Sequence, residues 1–276
     1  MIQKFYTDKL KSGLSGSTVR NIAMFLHRVL SHAVRMQLLS QNPADSVERP
    51  VRQHVEMRTL DEVQVGAVFT AAEKTPYFSL FHTALFTGMR RSELLGLRWS
   101  DVDLIMAEVT VNRALHHLSS GGFIIRGTKT TRSTRSVALA PESCNVLRRH
   151  LDNEQLLCLE IGMPFKNDRY LFCKWDGSPL IPHTVTQAWR RLTSRLGIWG
   201  VRFHDLRHTH ATMMLKQGIH PRIVQERMGH SSIAITLDVY SHVTPGMQQE
   251  AARSFGQLFD EDIRRRLDGV KIDGDN

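Results

Sequence analysis

The sequence of 276 residues contains no apolar run as long as the roughly 20 residues that a helix needs to cross a bilayer, which excludes a membrane-spanning protein. Residues 1–6 lack the apolar core of an export signal, so secretion is not expected. Cysteine is scarce. Cys144, Cys158 and Cys173 are widely separated, and they form neither a disulfide framework nor the paired pattern of a zinc site. Together these absences favour the reducing cytoplasm.

The composition is that of a folded, basic protein. Hydrophobic residues make up 41% of the chain, which is ample for a core, and the sequence shows no internal repeat or low-complexity tract. The formal net charge is +9 and the isoelectric point is about 9.8. This charge favours a polyanionic partner, nucleic acid first and an anionic membrane second. Charge alone is also compatible with a basic protein that binds nothing specific.

The first part of the chain predicts a helical segment followed by a linker. Ser17 is predicted to cap a helix whose apolar positions follow the 3.6-residue period over residues 19–34. Residues 49–58 are rich in basic side chains and poor in apolar ones, which indicates a linker. Thr59, with Glu62 three residues later, has the form of a capping box. A new helix and a new domain are therefore predicted from residue 59.

The remaining sequence predicts a mainly α-helical α+β domain. A helix from about residue 77 is expected to end at Gly88 with a left-handed cap, and residues 89–97 are predicted to be helical again. Between residues 101 and 139, alternating apolar and polar residues predict short strands, which we assign to one small antiparallel sheet. Pro141 fits the first turn of a long helix, and most of the later chain is predicted to be helical.

The first candidate site segment is Thr87-Gly88-Met89-Arg90-Arg91-Ser92-Glu93-Leu94. Gly88 allows a turn between two helices and would place Arg90 at the start of the second. There the guanidinium and the free amides of the helix could bind an anion. Glu93 could hold that guanidinium by a salt bridge. The alternative is a helix-loop-helix connection with a solvated arginine.

The second candidate is the basic segment of residues 127–135, between two predicted strands. It contains Lys129, Arg132 and Arg135. A basic turn of this kind could lie along a DNA groove or backbone. The alternative is a solvated hairpin tip.

The third candidate is the segment His204-Asp205-Leu206-Arg207-His208-Thr209-His210. His204 and Arg207 are three residues apart and share one helix face, a combination that suits a phosphate. A metal site is the alternative, because histidines four residues apart, such as His204 and His208, can bind zinc. No third ligand has a clear spacing, and Arg207 would place a cation beside the metal. We therefore expect His208 and His210 to pack in or support the site.

The fourth candidate covers residues 215–242. It predicts two short helices, residues 222–228 and residues 233–240, on either side of a turn that contains Gly229 and His230. Two helices around a tight glycine turn could also form a helix-turn-helix that binds DNA.

Taken in order, these segments resemble the catalytic domain of the tyrosine recombinases, the phage integrase family. The resemblance is carried by Thr87-Gly88-Met89-Arg90 with Glu93, Lys129, His204-Asp205-Leu206-Arg207, Met228-Gly229-His230 and Tyr240-Ser241-His242. It implies six catalytic residues, namely Arg90, Lys129, His204, Arg207, His230 and Tyr240, with Glu93 in support. Tyr240 would attack a DNA phosphate, and Arg90 and Arg207 would offset the negative charge that builds on that phosphate. Lys129 would protonate the departing 5′ oxygen. This chemistry needs no metal or nucleotide, so no cofactor is expected.

The resemblance extends over about residues 1–250 and implies a domain plan. Residues 1–48 are predicted to form part of a helical, SAM-like core-binding domain, and residues 49–58 the linker. Residues 59–246 are predicted to form the catalytic domain, and residues 247–276 a tail helix with a disordered end. Family members usually carry more helices before the linker, so we expect the clamp around DNA to be incomplete.

The implied function is site-specific recombination of double-stranded DNA, for integration or excision of a mobile element. The implied assembly is a homotetramer on two DNA sites, with accessory DNA-bending proteins as further partners, in the cytoplasm and at the nucleoid. Arg20, Arg91, Arg132 and Arg135 are predicted to contact DNA. Two alternatives stay open: an inactive or truncated DNA-binding remnant or regulator, and a metal-dependent nuclease that uses the histidines.

Overall fold

The computed structural model describes residues 1–51, 58–118, 120–127 and 134–240, together with Gln249, Ala252, Arg253 and residues 255–257. The chain divides into two compact units, Met1–Glu56 and Met57–Asn276. In the described part of the chain, no helix combines the length and the apolar character that a membrane crossing requires. The predicted tail of residues 247–276 lies largely outside the described residues.

The described residues of the first unit form two helices, α1 (Ile2–Lys11) and α2 (Gly16–Arg35). They pack through the buried side chains of Tyr6, Val19 and Ala23. The predicted cap at Ser17 is wrong, because Ser17 lies inside the first turn of α2. Ser15 caps the helix instead: its Oγ accepts a hydrogen bond of 3.2 Å from the Thr18 amide.

The helices of the second unit are α3 (Glu62–Ala72), α4 (Phe78–Thr87), α5 (Arg91–Leu94), α6 (Pro141–Glu160), α7 (Pro182–Arg195), α8 (Asp205–Lys216), α9 (Pro221–Met228) and α10 (Ile233–Tyr240), with a 3-10 turn at Trp99–Asp101. The predicted cap of α3 at Thr59 is wrong by two residues. Asp61 accepts from the Gln64 amide at 2.7 Å, and the Gln64 side chain accepts from the Asp61 amide at 3.2 Å. The box is thus built from Asp and Gln rather than from Thr and Glu.

In the described residues, five short strands form two antiparallel sheets. Strands β1 (Val102–Asp103), β2 (Glu108–Val111) and β5 (Arg135–Ala138) pair in the order β1-β2-β5, and β3 (Arg113–His117) pairs with β4 (Phe123–Gly127). The predicted fold class, mainly α-helical α+β with small antiparallel structure, is confirmed, but the strands are divided between two sheets rather than joined in one. The basic segment of residues 127–135 therefore lies between strands of different sheets, so the alternative of a hairpin tip between β4 and β5 is wrong.

The core of the second unit surrounds α4. Leu80 and Phe81 of this helix are buried against Trp189 of α7 and Phe203, and the Phe81 and Trp189 rings meet edge to face at 5.2 Å. A smaller cluster packs α8 on α9 through Leu215, Val224 and other apolar side chains.

The turn after α4 sets the direction of the next segment. Gly88 ends the helix in the left-handed region with φ 63°, which confirms the predicted cap. The chain then re-enters a helix for one turn only, Arg91–Leu94, so the predicted helix over residues 89–97 is too long. Arg90 occupies the cap position of that turn.

Candidate active site

Side chains from four distant stretches meet around the end of α9. Arg90 and Glu93 come from the α5 turn, Arg135 opens β5, Arg207 lies in α8, and His230 follows α9. The structure thus brings together five residues singled out from the sequence. The contacts between the four stretches are long-range in sequence, so only the folded chain can create this cluster.

Glu93 is the acceptor at the centre of the cluster. One carboxylate oxygen accepts from Arg90 Nη1 at 2.8 Å, and the other accepts from the Arg90 backbone amide at 2.8 Å. Arg135 approaches the same carboxylate with both terminal nitrogens, at 3.2 and 2.8 Å. Burial opposes ionisation of Glu93, but the hydrogen bonds and charges of Arg135 and Arg90 lower its pKa to about 2. Glu93 is therefore a fixed anion that orients two guanidinium groups.

Arg207 is held by two backbone carbonyls. Its Nη1 donates to the Gly88 carbonyl and its Nη2 to the Met228 carbonyl, both at 2.6 Å, and only 3% of the residue is exposed. Burial, followed by the positive charge of Arg90, lowers the pKa of Arg207 to about 9, which still leaves it charged at neutral pH. Arg207 is therefore a buried cation, although burial and the charge of Arg90 both disfavour its charged form.

The carboxyl end of α9 supplies acceptors to both arginines from adjacent residues. Met228 accepts from Arg207, and the next carbonyl, that of Gly229, accepts from Arg90 Nη2 at 2.9 Å. The last carbonyls of a helix have no partner within it and carry partial negative charge. This helix end therefore holds the two guanidinium groups beside each other despite their mutual repulsion.

Two histidines border the arginines. His230 Nδ1 lies 2.9 Å from the buried hydroxyl of Thr236 in α10, and burial, with the charges of Arg207 and Arg90, lowers the pKa of His230 to about 4. His204 is the cap residue directly before α8. Burial, followed by the charge of Arg207, also lowers the pKa of His204. Both rings are therefore neutral at pH 7, so each can donate one hydrogen bond without adding charge.

The arrangement suits an anion with several oxygens. A groove of about 600 Å³ opens beside Arg90 and is lined by cationic and imidazole groups that include Arg91, Arg202, His116, His117 and His204. The cluster contains three guanidinium groups and one carboxylate, and Arg90 and Arg135 pair with that carboxylate while Arg207 donates to backbone carbonyls, which leaves an excess of positive charge. A phosphate with its non-bridging oxygens matches this excess in charge and hydrogen-bonding pattern.

The other residues predicted for the site either lie outside the described structure or bond elsewhere in the protein. Tyr240 is the last residue of α10, one helical turn after Thr236, and its side chain lies outside the described part of the structure. Lys129 and Arg132 also lie outside the described residues. Arg91 donates to the Pro182 carbonyl and the Thr186 hydroxyl at the start of α7.

Two further arginines predicted to contact DNA are, like Arg91, bonded within the protein. Arg20 donates to the Pro50 carbonyl inside the first unit. The guanidinium of Arg135 is turned inward onto Glu93, and only 12% of its side chain is exposed. Arg135 was thus singled out for its charge, whereas its pairing with Glu93 was missed.

The histidine segment does not assemble a metal site in the described residues, where no group of three or more histidine, cysteine, aspartate or glutamate side chains is arranged to hold an ion. The rings of His204 and His208 meet edge to face at 5.2 Å. Burial, and next the charge of His204, lowers the pKa of His208. Its ring therefore packs against His204 at the edge of the site.

Replacing Gly229 with alanine is expected to destabilise the protein more than replacing Gly218. Both glycines have positive φ, 63° and 76°, so each alanine carries a strain of about 1–2 kcal/mol. A Cβ at Gly229 would lie 2.8 Å from Arg135 Nη1, whereas a Cβ at Gly218 would meet nothing within 4 Å. Displacing Arg135 adds about 1–3 kcal/mol to the cost at Gly229. Urea denaturation of both variants measures the difference, and equal losses of unfolding free energy would contradict this account.

The chain matches known proteins over most of its length. Residues 58–247 match the model of the phage integrase family. The chain is 28% identical over 259 residues to the ICEBs1 integrase of Bacillus subtilis (strain 168). This match covers 93% of this chain and 70% of that protein. It is 27% identical over 275 residues to a XerC-like tyrosine recombinase of Caldanaerobacter subterraneus subsp. tengcongensis. That match covers 94% of this chain and 70% of that protein.

A solved structure shares the fold. The Tn1549 transposon integrase in complex with circular intermediate DNA superposes with a TM-score of 0.78, over 92% of this chain and 84% of that chain. The two sequences are 23% identical, so this likeness concerns the fold alone.

Proposed function

Because this chain belongs to the phage integrase family, whose model matches residues 58–247, we propose that it is a site-specific recombinase that cleaves and rejoins DNA strands through a covalent 3′-phosphotyrosyl intermediate. The observation that carries the proposal is the convergence of Arg90, Arg207 and His230 on the end of α9. Thr236 of α10 contacts His230, and Tyr240 is the last residue of the same helix, one turn after Thr236.

In the proposed reaction, the phenol of Tyr240 loses its proton to water, and its oxygen attacks the phosphorus of a DNA phosphodiester. The new bond joins phosphorus to the tyrosine oxygen, and the bond from phosphorus to the 5′ oxygen breaks. Lys129 is the proposed donor of the proton that the 5′ oxygen receives. One ester replaces another, so strands can be rejoined without ATP, and the step requires neither a metal ion nor a nucleotide.

The two arginines are proposed to stabilise the transition state. The non-bridging oxygens gain negative charge as five-coordinate phosphorus forms, and Arg90 and Arg207 are fixed in advance by Glu93 and by backbone carbonyls. Donors that are already oriented need no reorganisation during the reaction, and one such group contributes about 3–4 kcal/mol to lowering a barrier. His204 and His230 are proposed to donate to the same phosphate as neutral imidazoles.

Double-stranded DNA is the proposed partner. The net charge of +9 and the basic groove support it, as do the relatives named as integrases and the Tn1549 transposon integrase bound to circular intermediate DNA. We propose a role in integration or excision of a mobile element, with a homotetramer on two DNA sites and accessory DNA-bending proteins. Binding should weaken steeply with salt, because phosphate neutralisation releases counterions.

The test is a suicide DNA substrate from the sequences that flank the gene, nicked so that the strand released by cleavage diffuses away. In excess chelator, the chain is expected to form a DNA adduct that survives denaturant, and peptide mapping is expected to place the nucleotide on Tyr240. Salt-sensitive binding without an adduct would favour a DNA-binding remnant or regulator. Cleavage that leaves free ends and stops in chelator would favour a metal-dependent nuclease.

A further inference from the structure

Arg227, in the last turn of α9, connects four elements through one side chain. Its Nε donates to His210 Nε2 in α8 at 3.1 Å, and its Nη1 donates to the Ala138 carbonyl at the end of β5 at 2.9 Å. Its Nη2 donates to the Phe86 carbonyl in α4 at 2.8 Å. All three nitrogens of the guanidinium thus donate inward, so this basic residue is engaged by the protein rather than offered to a partner.

The two residues after Arg227 hold the site arginines. Met228 and Gly229 present the carbonyls that accept from Arg207 and Arg90. The Arg227 carbonyl itself accepts from Arg135 Nε at 3.0 Å, and Arg135 in turn forks onto Glu93. A shift of the α9 end would therefore move the acceptors of all three guanidinium groups at once.

The contact with His210 links Arg227 to the turn at Gly88. Because His210 Nε2 accepts from Arg227, the proton of the neutral ring is on Nδ1, and the ring also hydrogen-bonds the Leu85 backbone. Burial, followed by the charge of Arg227, lowers the pKa of His210 to about 3, so the acceptor persists across the physiological range. A Cβ on Gly88 would lie 2.7 Å from this ring, which shows how closely His210 packs under the turn that supplies the second acceptor of Arg207.

We propose that Arg227 is a positioning residue for DNA cleavage, which fixes the Met228 and Gly229 carbonyls relative to Gly88 so that Arg207 and Arg90 are aligned before DNA binds. The inference rests on the proposed function, since it concerns the alignment of the same two arginines. It assigns Arg227 an effect on the rate of cleavage in the bound complex and little effect on DNA affinity. A small displacement of reacting groups is enough for a large rate effect.

The test compares Arg227→Ala with Arg222→Ala in the full chain. Both positions are on α9 and both changes remove one positive charge, but Arg222 is exposed and pairs only with Glu226 of its own helix in the described structure. With the suicide substrate at saturating concentration, Arg227→Ala is expected to slow adduct formation by about 10- to 100-fold. Its dissociation constant for DNA should stay within about threefold of that of Arg222→Ala, because the lost charge is the same.

Arg227→Lys keeps the charge and guards against misfolding of the alanine variant. A lysine amine cannot reach acceptors in three elements at once, so a slowed cleavage rate is expected here too, in a protein that still unfolds in one cooperative thermal transition. In an Arg90→Lys background, the penalty of Arg227→Ala should shrink, because the two changes disturb the same alignment. A structural contribution that acts elsewhere would instead give additive effects.

A second measurement is independent of activity. Hydrogen exchange at the Arg207 and Arg90 guanidinium groups, followed by NMR in the DNA-free protein, should speed up in Arg227→Ala and stay unchanged in Arg222→Ala. Failure of the unmodified chain to form an adduct would remove the proposed function, and the exchange measurement would still decide the positioning role. Unchanged exchange, or a loss confined to DNA affinity, would overturn that role.

Discussion

Replacing Tyr240 with phenylalanine is expected to abolish the covalent adduct with DNA and to leave the affinity for DNA within about twofold, since phosphate contacts from cations dominate that affinity. The change removes one oxygen and keeps the ring, so it tests the hydroxyl alone. A phenol is a weak nucleophile at its usual pKa near 10. Its proposed neighbours, two guanidinium groups held by Glu93 and the α9 carbonyls, favour the phenolate during attack.

Tyr77→Phe provides the matched control for Tyr240→Phe. Tyr77 lies in the same unit, at the start of α4, and its ring stacks on Phe81. Removing its hydroxyl should leave adduct formation unchanged, as judged by the denaturant-resistant band on a gel. An adduct that persists in Tyr240→Phe would show that another residue is the nucleophile and would refute the assignment.

Local signals account for the elements that the sequence predicted well. Gly88 ends α4 because a left-handed residue is required there, and Pro141 begins α6 because its missing amide costs nothing at the first helical position. The helix of residues 233–240 was also predicted with the bounds of α10. In these cases a single residue or a short period determines the structure.

The errors in capping show where local signals compete. Ser15 and Ser17 both lie near the start of α2, and Thr59 and Asp61 both precede α3. Each pair offers two polar side chains two residues apart, and only the second of one pair and the first of the other caps its helix, Asp61 and Ser15. Sequence pattern alone does not express that selection.

Long-range pairing was the least predictable feature. β5 pairs with β2 rather than with its neighbour in sequence, β4, whereas the sequence pattern had suggested one small sheet. Arg135 shares the inner face of β5 with the buried Val137, two residues on, and this alternation was a usable sign that its side chain points inward. Its partner, Glu93, lies 42 residues away and could not be identified from spacing.

Replacing Arg207 with alanine is expected to lower the cleavage rate in the bound complex by about 10³-fold, the upper end of the loss for a single preorganised donor. The reason for the upper end is that Arg207 also joins Gly88 to Met228, so its removal loosens the turn that places Arg90. DNA affinity should change little, because only 3% of Arg207 is exposed. Single-turnover rates at saturating DNA, with separate equilibrium binding, measure the two effects.

Two further variants separate charge from geometry at this position. Arg207→Lys keeps a cation but cannot donate in a fork to both carbonyls, so a loss of about 10²-fold is still expected. Arg195→Ala removes an equal charge from an exposed position in the last turn of α7 and should leave the rate unchanged. Burial and the charge of Arg90 both disfavour the Arg207 cation, whereas Glu93 and the two carbonyl acceptors favour it. Full activity in Arg207→Lys would show that charge suffices, and it would contradict the role given to the paired carbonyls.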